Sequence, residues 1–316
     1  MKTTLDYAPA AELIAAANTI FFLSHEYTDG DDLGSMLALG SVLKARGKKV
    51  EYIARGGLSK NLLFLPDAQL LRDHIPPEDF DLAIFLGCGV IDRIGFDPSR
   101  FAAHPILNID HHVDNHMFGT VNLVESTAAA NCEIIYYFIK FLGASITKTV
   151  AVNLLTGIFN DTGGFRHANT NAQVLEIAAE LMRKGARIDR IADYYFGKSE
   201  LSKLRAWALA LENARFDEGR QMVYSIVTED ELASIGAKPE DLEGIASVLT
   251  TIPEARYSMV LKQRGEEIKG SLRSEAHKGV DVAAIARSFG GGGHVLAAGF
   301  KLKGKIEKTK EGWKIT

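Results

Sequence analysis

The chain alternates short apolar runs with stretches of helical periodicity. Continuous apolar runs that are too short for helices are typical of strands buried on both faces of a parallel sheet. The candidate strands are residues 19–23, 49–54, 82–86 and 105–109, and the first candidate helices are residues 10–18 and 36–44. This alternation predicts a doubly wound, parallel α/β sheet with right-handed crossovers.

A second, smaller α/β domain is predicted after a largely helical region at 127–184. Strand-like runs return at 221–227, 257–262 and 268–272, with helical patterns at 240–250 and 282–288. We therefore expect a first domain at 1–190, a helical connector at 191–214 and a second domain at 215–316. The Lys-rich tail after Gly299 is most simply a solvated terminus.

Composition limits the classes of protein. A chain of 316 residues that is 47% hydrophobic can bury one large core or two medium ones, and typical domain sizes favour two. The net charge of -4 argues against a protein that coats long nucleic acid nonspecifically, and it leaves a local basic groove as the alternative. Cys88 and Cys132 are too few for a disulfide scaffold, so we expect a cytoplasmic protein. Residues 1–7 lack the cationic start and apolar core of a signal peptide, and no apolar run approaches membrane-spanning length, so no membrane partner is expected.

Polar side chains cluster where predicted strands end. His25 follows the first run, and Asp29 and Asp31 stand in the loop before the next helix; Asp110, His111 and His112 follow the run at 105–109. Open α/β sheets keep their sites at the carboxyl ends of their strands. One Asp at a helix start is commonly an N-cap, but a cap needs one acid and this loop offers Asp29, Asp31 and Asp32. One Asp-His pair is weak evidence. Several such clusters together indicate a metal site.

Asp161 follows a predicted helix at 149–159. A carboxylate there faces the negative end of the helix dipole, which is unfavourable unless a cation compensates it. We therefore predict that Asp161 is a metal ligand. Arg166 and His167, just beyond it, are candidates for substrate binding, with ordinary surface charge as the alternative.

The second predicted domain carries candidate anion-binding groups. A glycine run at 290–293 can turn backbone N–H groups toward an anion, and His294 can add a donor, although a flexible turn is the alternative. Arg273 supplies a planar guanidinium that suits phosphate, although a lone arginine is usually a surface residue.

In order and spacing, the clusters resemble the DHH phosphoesterase superfamily. The segments 269–274 and 289–300 resemble the DHHA1 domain that follows it in one branch. The resemblance covers nearly the whole chain. The chain length is similar to that of the nanoRNase/pAp-phosphatase group rather than to the larger RecJ exonucleases.

The resemblance implies two divalent metal ions, usually manganese, that activate a water. One ion would take His25 and Asp29, and the other Asp31, His111 and Asp161. His112 would orient a phosphate oxygen or protonate the leaving group, with Asp110 supporting His111. In the second domain the resemblance implies a substrate-binding set of Ser271, Gly291, Gly292, Gly293, His294 and Arg273.

One position departs from this pattern. The family carries an aspartate that bridges both ions at the end of the third strand, and here the residue is Gly87. Either a substitution disables hydrolysis while sparing the fold, or the chain is naturally degenerate. We favour the first because every other ligand position is intact. Cys88 should point the other way along the strand, and Asp92 is a weaker substitute because it lies further along the loop.

We therefore predict a two-domain phosphoesterase with a cleft between its domains. Its expected substrates are short single-stranded oligoribonucleotides (nanoRNA) or pAp, and long duplexes should fit poorly. The alternatives are hydrolysis of a cyclic dinucleotide or its linear product, and a nucleotide-binding protein without turnover. The sequence leaves the oligomeric state open, a homodimer included.

Overall fold

A computed structural model of the protein describes residues 5–196, 201–309 and 312–316. The chain divides into two compact units, Met1–Lys198 and Ser199–Thr316. The limits predicted from the sequence, 1–190, 191–214 and 215–316, remain predictions, as does the cleft.

The first unit is built on a parallel sheet of six strands in the order β3-β2-β1-β4-β5-β6. The strand order reverses between β1 and β4, and α/β sheets place their ligands at such a switch point. The predicted doubly wound fold is therefore confirmed. The elements are α1 (Ala8–Ala16), β1 (Thr19–Ser24), α2 (Gly30–Ala45), β2 (Lys49–Ile53), β3 (Leu71–Arg72), β4 (Leu82–Leu86), β5 (Ile106–Asp110), β6 (Val121–Val124), α3 (Asn131–Phe141), α4 (Lys148–Asp161), α5 (Ala172–Arg183) and α6 (Ile188–Phe196).

The strands are continuously apolar because both faces of the sheet are covered. Ile20 and Phe22 of β1 belong to the core shared with the helices. Phe21 and Leu23 point to the other face, into a second apolar cluster with residues such as Phe80. This alternation gives each strand two buried faces, as the uninterrupted runs predicted.

Helix α2 is buried nearly all round, and it packs closely on α4. A Cβ at Gly34 would lie 2.5 Å from the backbone oxygen of Asn153, so this approach requires a glycine. The helix also begins earlier than predicted, at Gly30 rather than at residue 36. Asp31 therefore lies in the first helical turn and not in a loop.

The second unit contains a mixed sheet of six strands in the order β11-β12-β10-β9-β8-β7. Strands β8 and β9 are parallel, and the other pairs are antiparallel. The predicted second α/β domain is confirmed. Its elements are α7 (Leu201–Glu212), β7 (Arg215–Asp217), β8 (Met222–Val227), α8 (Glu229–Ser234), α9 (Ile245–Thr250), β9 (Tyr257–Arg264), β10 (Glu267–Ser274), α10 (Val282–Ser288), β11 (Gly292–His294), β12 (Ala297–Lys303), β13 (Ile306–Thr309) and β14 (Gly312–Ile315).

Two predictions for the second unit are wrong. The helix expected at 240–250 is split into a 3₁₀ turn, Pro239–Leu242, and α9, because Gly244 between them has a φ of 92°. The tail after Gly299 is not simply solvated: it completes β12 and forms the β13–β14 hairpin, in which Ile306 is buried.

Within the described parts of the chain, we find no helix that combines the length and the apolar character needed to cross a bilayer.

Candidate metal centre and phosphate pocket

One group of metal-competent side chains surrounds the start of α2. Ligand atoms of His25, Asp29 and Asp32 lie within 4.8 Å of one another. The His25 Nδ1 is 2.7 Å from the carbonyl oxygen of Glu26, and its Nε2 is 3.2 Å from Asp32 Oδ2. The backbone contact orients the imidazole so that Nε2 faces the acids. We call this group the first trio.

A second trio joins residues that are far apart in the sequence. Ligand atoms of Asp31, His111 and Asp161 also lie within 4.8 Å of one another. The His111 Nε2 is 3.1 Å from Asp161 Oδ2 and 4.0 Å from Asp31 Oδ2, while its Nδ1 faces the carbonyl oxygen of Ala128 at 3.2 Å. The structure thus brings together the five residues predicted as ligands in two adjacent groups.

The start of α3 holds the Asp31 carboxylate in place. It accepts hydrogen bonds from the backbone N–H groups of Asn131 at 2.6 Å and Cys132 at 2.9 Å. The positive end of a helix dipole favours an anion there. Gly157 of α4 leaves the necessary room, because a Cβ at this position would lie 2.7 Å from Asp31 Oδ1.

Asp29 holds the first turn of α2. Its side chain accepts hydrogen bonds from the N–H groups of Asp31 and Asp32, both at 3.0 Å. The N-cap alternative therefore describes Asp29 correctly, and the residue belongs to the first trio as well. The cap fixes two further acids on successive positions of one helical turn.

Like charges are concentrated in the centre. Burial raises the pKa of Asp29, Asp31 and Asp32, and the charge of Asp161 raises the pKa of each further. Burial opposes protonation of His111, but its hydrogen bond to Asp161 and the charge of Asp31 raise its pKa to about 10. The centre therefore favours a positive charge among its acids, which a divalent ion would supply.

The donor set fits divalent ions. Each trio offers one imidazole nitrogen and two carboxylates, a mixture that suits manganese and similar metals. Neither Cys88 nor Asp92 belongs to the metal-competent groups found among the described residues. Cys88 is buried in the apolar cluster around Phe21, and Asp92 is exposed.

The structure differs from expectation at Asp110, which was predicted to support His111. Its fully buried carboxylate accepts from His112 Nδ1 at 2.7 Å and from Asn115 Nδ2 at 2.6 Å. Its contact with His111 is limited to the backbone N–H of that residue, at 2.8 Å. The Nδ1 of His111 faces Ala128 instead, so the ring that Asp110 orients is that of His112.

Arg166 and His167 border the second trio. The His167 Nδ1 is 3.1 Å from the carbonyl oxygen of Asp161, and Arg166 Nε donates to Gly163 at 2.8 Å. Both side chains are exposed. Their predicted role in substrate binding stays a prediction.

A separate cationic pocket of about 270 Å³ lies in the second unit. Alternate residues of β10, Lys269, Ser271 and Arg273, line it, and Lys262 of β9 is the cross-strand neighbour of Lys269. Burial and the charge of Lys269 lower the pKa of Lys262, and burial lowers the pKa of Arg273. An anion in the pocket would favour the charged forms of both side chains and so offset the cost of burying them.

Gly292 and Gly293 of the glycine run lie in β11, which β12 separates from β10 in the sheet. Gly299 of β12 pairs with Ser271 and with Gly292 of β11, and Ala297 pairs with Arg273 and with His294. Arg273 and His294 therefore stand on one face of the sheet, because directly opposed residues share a face.

The prediction that the whole glycine run at 290–293 turns its N–H groups toward an anion is wrong in part. The N–H groups of Gly290 and Gly291 donate to the carbonyl oxygens of Arg287 and Ala286 at the end of α10, at 3.0 and 2.9 Å. They are therefore used by the helix end. The candidate anion-binding part of the run narrows to Gly292, Gly293 and His294.

Sequence reasoning did not assign Asp32 or Tyr195 to the centre. Asp32 was counted among the acids of the loop before α2, but it was not assigned as a ligand. Tyr195 is distant in the sequence, but a Cβ at Gly30 would lie 1.9 Å from its hydroxyl. Burial and the charges of Asp29 and Asp161 raise the Tyr195 pKa.

The parallel sheet with its two trios, followed by a mixed sheet with a cationic pocket, defines a hydrolase of phosphoesters. The chain belongs to the DHH family: the DHH family N-terminal domain matches residues 19–158, and the DHHA1 domain matches residues 219–312.

One similar protein supports this assignment, and two solved structures support the fold. The chain is 34% identical to the bifunctional oligoribonuclease and PAP phosphatase NrnA of Thermus thermophilus, over 93% of this chain and 87% of that one. An exopolyphosphatase-related protein from Bacteroides fragilis has the same fold, with a TM-score of 0.89, 24% identity, and coverage of 96% and 94%. RecJ from Thermus thermophilus in complex with Mn²⁺ is more distant, with a TM-score of 0.54, 15% identity, and coverage of 94% and 51%.

Proposed function

We propose that this protein hydrolyses short oligoribonucleotides and pAp with the help of two divalent metal ions, most simply Mn²⁺. The observation that carries the proposal is the pair of adjacent His/Asp trios at the switch point of the sheet. The name of the Thermus relative, an oligoribonuclease and PAP phosphatase, supports this substrate class.

In this proposal His25 and Asp29 hold one ion, and Asp31, His111 and Asp161 hold the other. When bound, such a pair lowers the pKa of a water and neutralises charge on the phosphate. The acids need this charge, because burial and mutual repulsion disfavour their ionised forms in its absence.

His112 is the proposed acid that protonates the leaving oxygen or orients a phosphate oxygen. Asp110 accepts from its Nδ1 and so directs the other ring nitrogen, Nε2, away from this contact.

The pocket of the second unit is the proposed holder of a terminal phosphate. Lys262, Lys269 and Arg273 supply its positive charge, and Ser271 supplies a hydroxyl. A substrate held by its terminal phosphate would be short and single-stranded, and long duplexes would fit poorly. Cys88 and Cys132 are free buried thiols, which suits the proposed cytoplasmic location.

The test is hydrolysis of four substrates with Mn²⁺ or with EDTA: dinucleotide RNA, pAp, a cyclic dinucleotide and a long RNA duplex. We expect Mn²⁺-dependent release of mononucleotides from dinucleotide RNA and of phosphate from pAp. Faster turnover of the cyclic dinucleotide would instead favour a cyclic-dinucleotide phosphodiesterase. Tight binding of pAp without any turnover would contradict the proposal and favour a nucleotide-binding protein.

A further inference from the structure

Gly87 follows β4, and the space for its missing side chain is filled. Its N–H donates to the carbonyl oxygen of Ile109 at 3.2 Å, and its φ is 62°. A Cβ at Gly87 would lie 2.1 and 2.3 Å from the two carboxylate oxygens of Asp32. A side chain at position 87 and the Asp32 carboxylate therefore compete for one volume.

Contacts hold the Asp32 carboxylate in that volume. Its Oδ1 accepts a hydrogen bond from Asn131 Nδ2 at 2.9 Å, and its Oδ2 is 3.2 Å from His25 Nε2. Only 3% of the residue is exposed. Since successive residues of an α-helix point roughly 100° apart, Asp31 and Asp32 face different sides of the centre.

Asp32 belongs to the first trio with His25 and Asp29, and its helical neighbour Asp31 belongs to the second. Asn131 joins the two acids, because its backbone N–H donates to Asp31 Oδ2 at 2.6 Å and its side-chain Nδ2 donates to Asp32 Oδ1 at 2.9 Å. A carboxylate between two cation sites is the arrangement that the family resemblance implies for position 87.

We propose that Asp32, from the first turn of α2, supplies the bridging carboxylate that Gly87 lacks. The inference rests on the proposed function, because it concerns the same pair of ions. The chain thereby keeps the number of negative charges at the centre while moving one of them from a strand end to a helix. On this account Gly87 accommodates Asp32, and the chain is an active enzyme as it stands.

The experiment compares the wild-type chain with four variants: Asp32→Ala, Asp32→Asn, Gly87→Asp, and the double exchange Asp32→Ala with Gly87→Asp. Manganese stoichiometry and affinity come from calorimetry, and spin coupling between neighbouring Mn²⁺ ions comes from electron paramagnetic resonance. Hydrolysis of pAp is measured in parallel. Asp32→Asn keeps the side-chain size, so it reports the loss of charge even if Asp32→Ala unfolds.

We expect the wild-type chain to bind two coupled ions. Asp32→Ala and Asp32→Asn should bind at least one ion about 10- to 100-fold more weakly and lose the coupling. Gly87→Asp alone should also impair binding, because two carboxylates would share one volume, whereas the double exchange should regain the coupled pair. A disabled enzyme predicts the opposite for Gly87→Asp, namely a gain of activity.

Three results would overturn the inference. Two of them are a coupled pair of unchanged affinity in Asp32→Asn, and a gain of metal affinity and activity in Gly87→Asp alone. Asp92→Ala is the matched variant, because Asp92 is the competing acid on the neighbouring loop. The third result is loss of the coupled pair of ions in Asp92→Ala alone, which would exclude Asp32 as the bridging residue. The two proposals fail separately. A wild-type chain that binds two coupled ions but hydrolyses none of the four substrates contradicts the proposed function and leaves the role of Asp32 standing.

Discussion

Single residues at the centre carry a conflict between stability and function. Burial and neighbouring acids raise the pKa of Asp29, Asp31 and Asp32, so the metal-free protein holds these groups in an environment that disfavours their charge. Such conflict is common at sites built to bind cations.

Asp32→Asn should stabilise the metal-free protein increasingly as the pH rises. A carboxyl whose pKa is raised on folding stabilises the folded state fully below its unfolded pKa, about 3.9. That contribution is lost as the pH rises through the folded-state pKa. In urea unfolding with EDTA, we expect the variant to exceed the wild type more at pH 8 than at pH 5. A difference that does not change with pH would contradict this, and the exposed Asp92→Asn is the control.

His112→Ala should lower kcat for pAp by about 10²- to 10⁴-fold, the usual contribution of a general acid. Asp110→Asn should lower kcat in the same direction, because the buried carboxylate orients the ring through Nδ1. Manganese affinity measured by calorimetry should change little in either variant. Loss of metal binding in His112→Ala would show that this ring is a ligand instead.

At the scale of elements, the centre depends on how closely three helices meet. The start of α2 carries Asp31 and Asp32, the start of α3 donates to Asp31, and α4 ends at Asp161. The helices can approach this closely because glycines such as Gly34 and Gly157 stand at their contacts, where a side chain would not fit.

Gly157→Ala should destabilise the protein by about 1–3 kcal/mol, as overpacking commonly does. Its Cβ would lie 2.3 Å from Cys132 Sγ and 2.7 Å from Asp31 Oδ1, so the carboxylate must move. Urea unfolding and manganese calorimetry should both report the change. Gly219→Ala is the control, since its Cβ would meet only Asp217 Oδ1, at 3.4 Å. Unchanged metal affinity in Gly157→Ala would contradict the argument.

At the scale of the whole molecule, two compact units divide the proposed work. The first holds the acids and imidazoles, and the second holds the cationic pocket. Substitutions in the second unit should therefore alter substrate capture without altering the metal centre.

Arg273→Ala should raise the KM for pAp and for dinucleotide RNA by about tenfold or more, corresponding to the loss of a charged hydrogen bond worth roughly 1.5–3 kcal/mol. Steady-state kinetics would measure this, together with turnover of bis-p-nitrophenyl phosphate, which has no terminal phosphate to capture. That turnover should be unchanged. An equal fall in turnover of pAp and of bis-p-nitrophenyl phosphate would instead mean that Arg273 acts in the catalytic step or in folding.

The sequence by itself determined the two α/β units, most of the buried strands, and which residue types gather at the strand ends. It could do so because uninterrupted apolar runs are a local consequence of burial, and because strand ends in a parallel sheet share one edge. The predictions were wrong at the start of α2 and missed the break at Gly244 and the C-terminal hairpin. Caps, positive φ angles and hairpin pairing decide these features, and they override the local hydrophobic pattern. Only the tertiary structure decided that Asp110 orients His112 and that the Asp32 carboxylate fills the space beside Gly87. Both depend on distances between backbone segments that meet only in the folded chain.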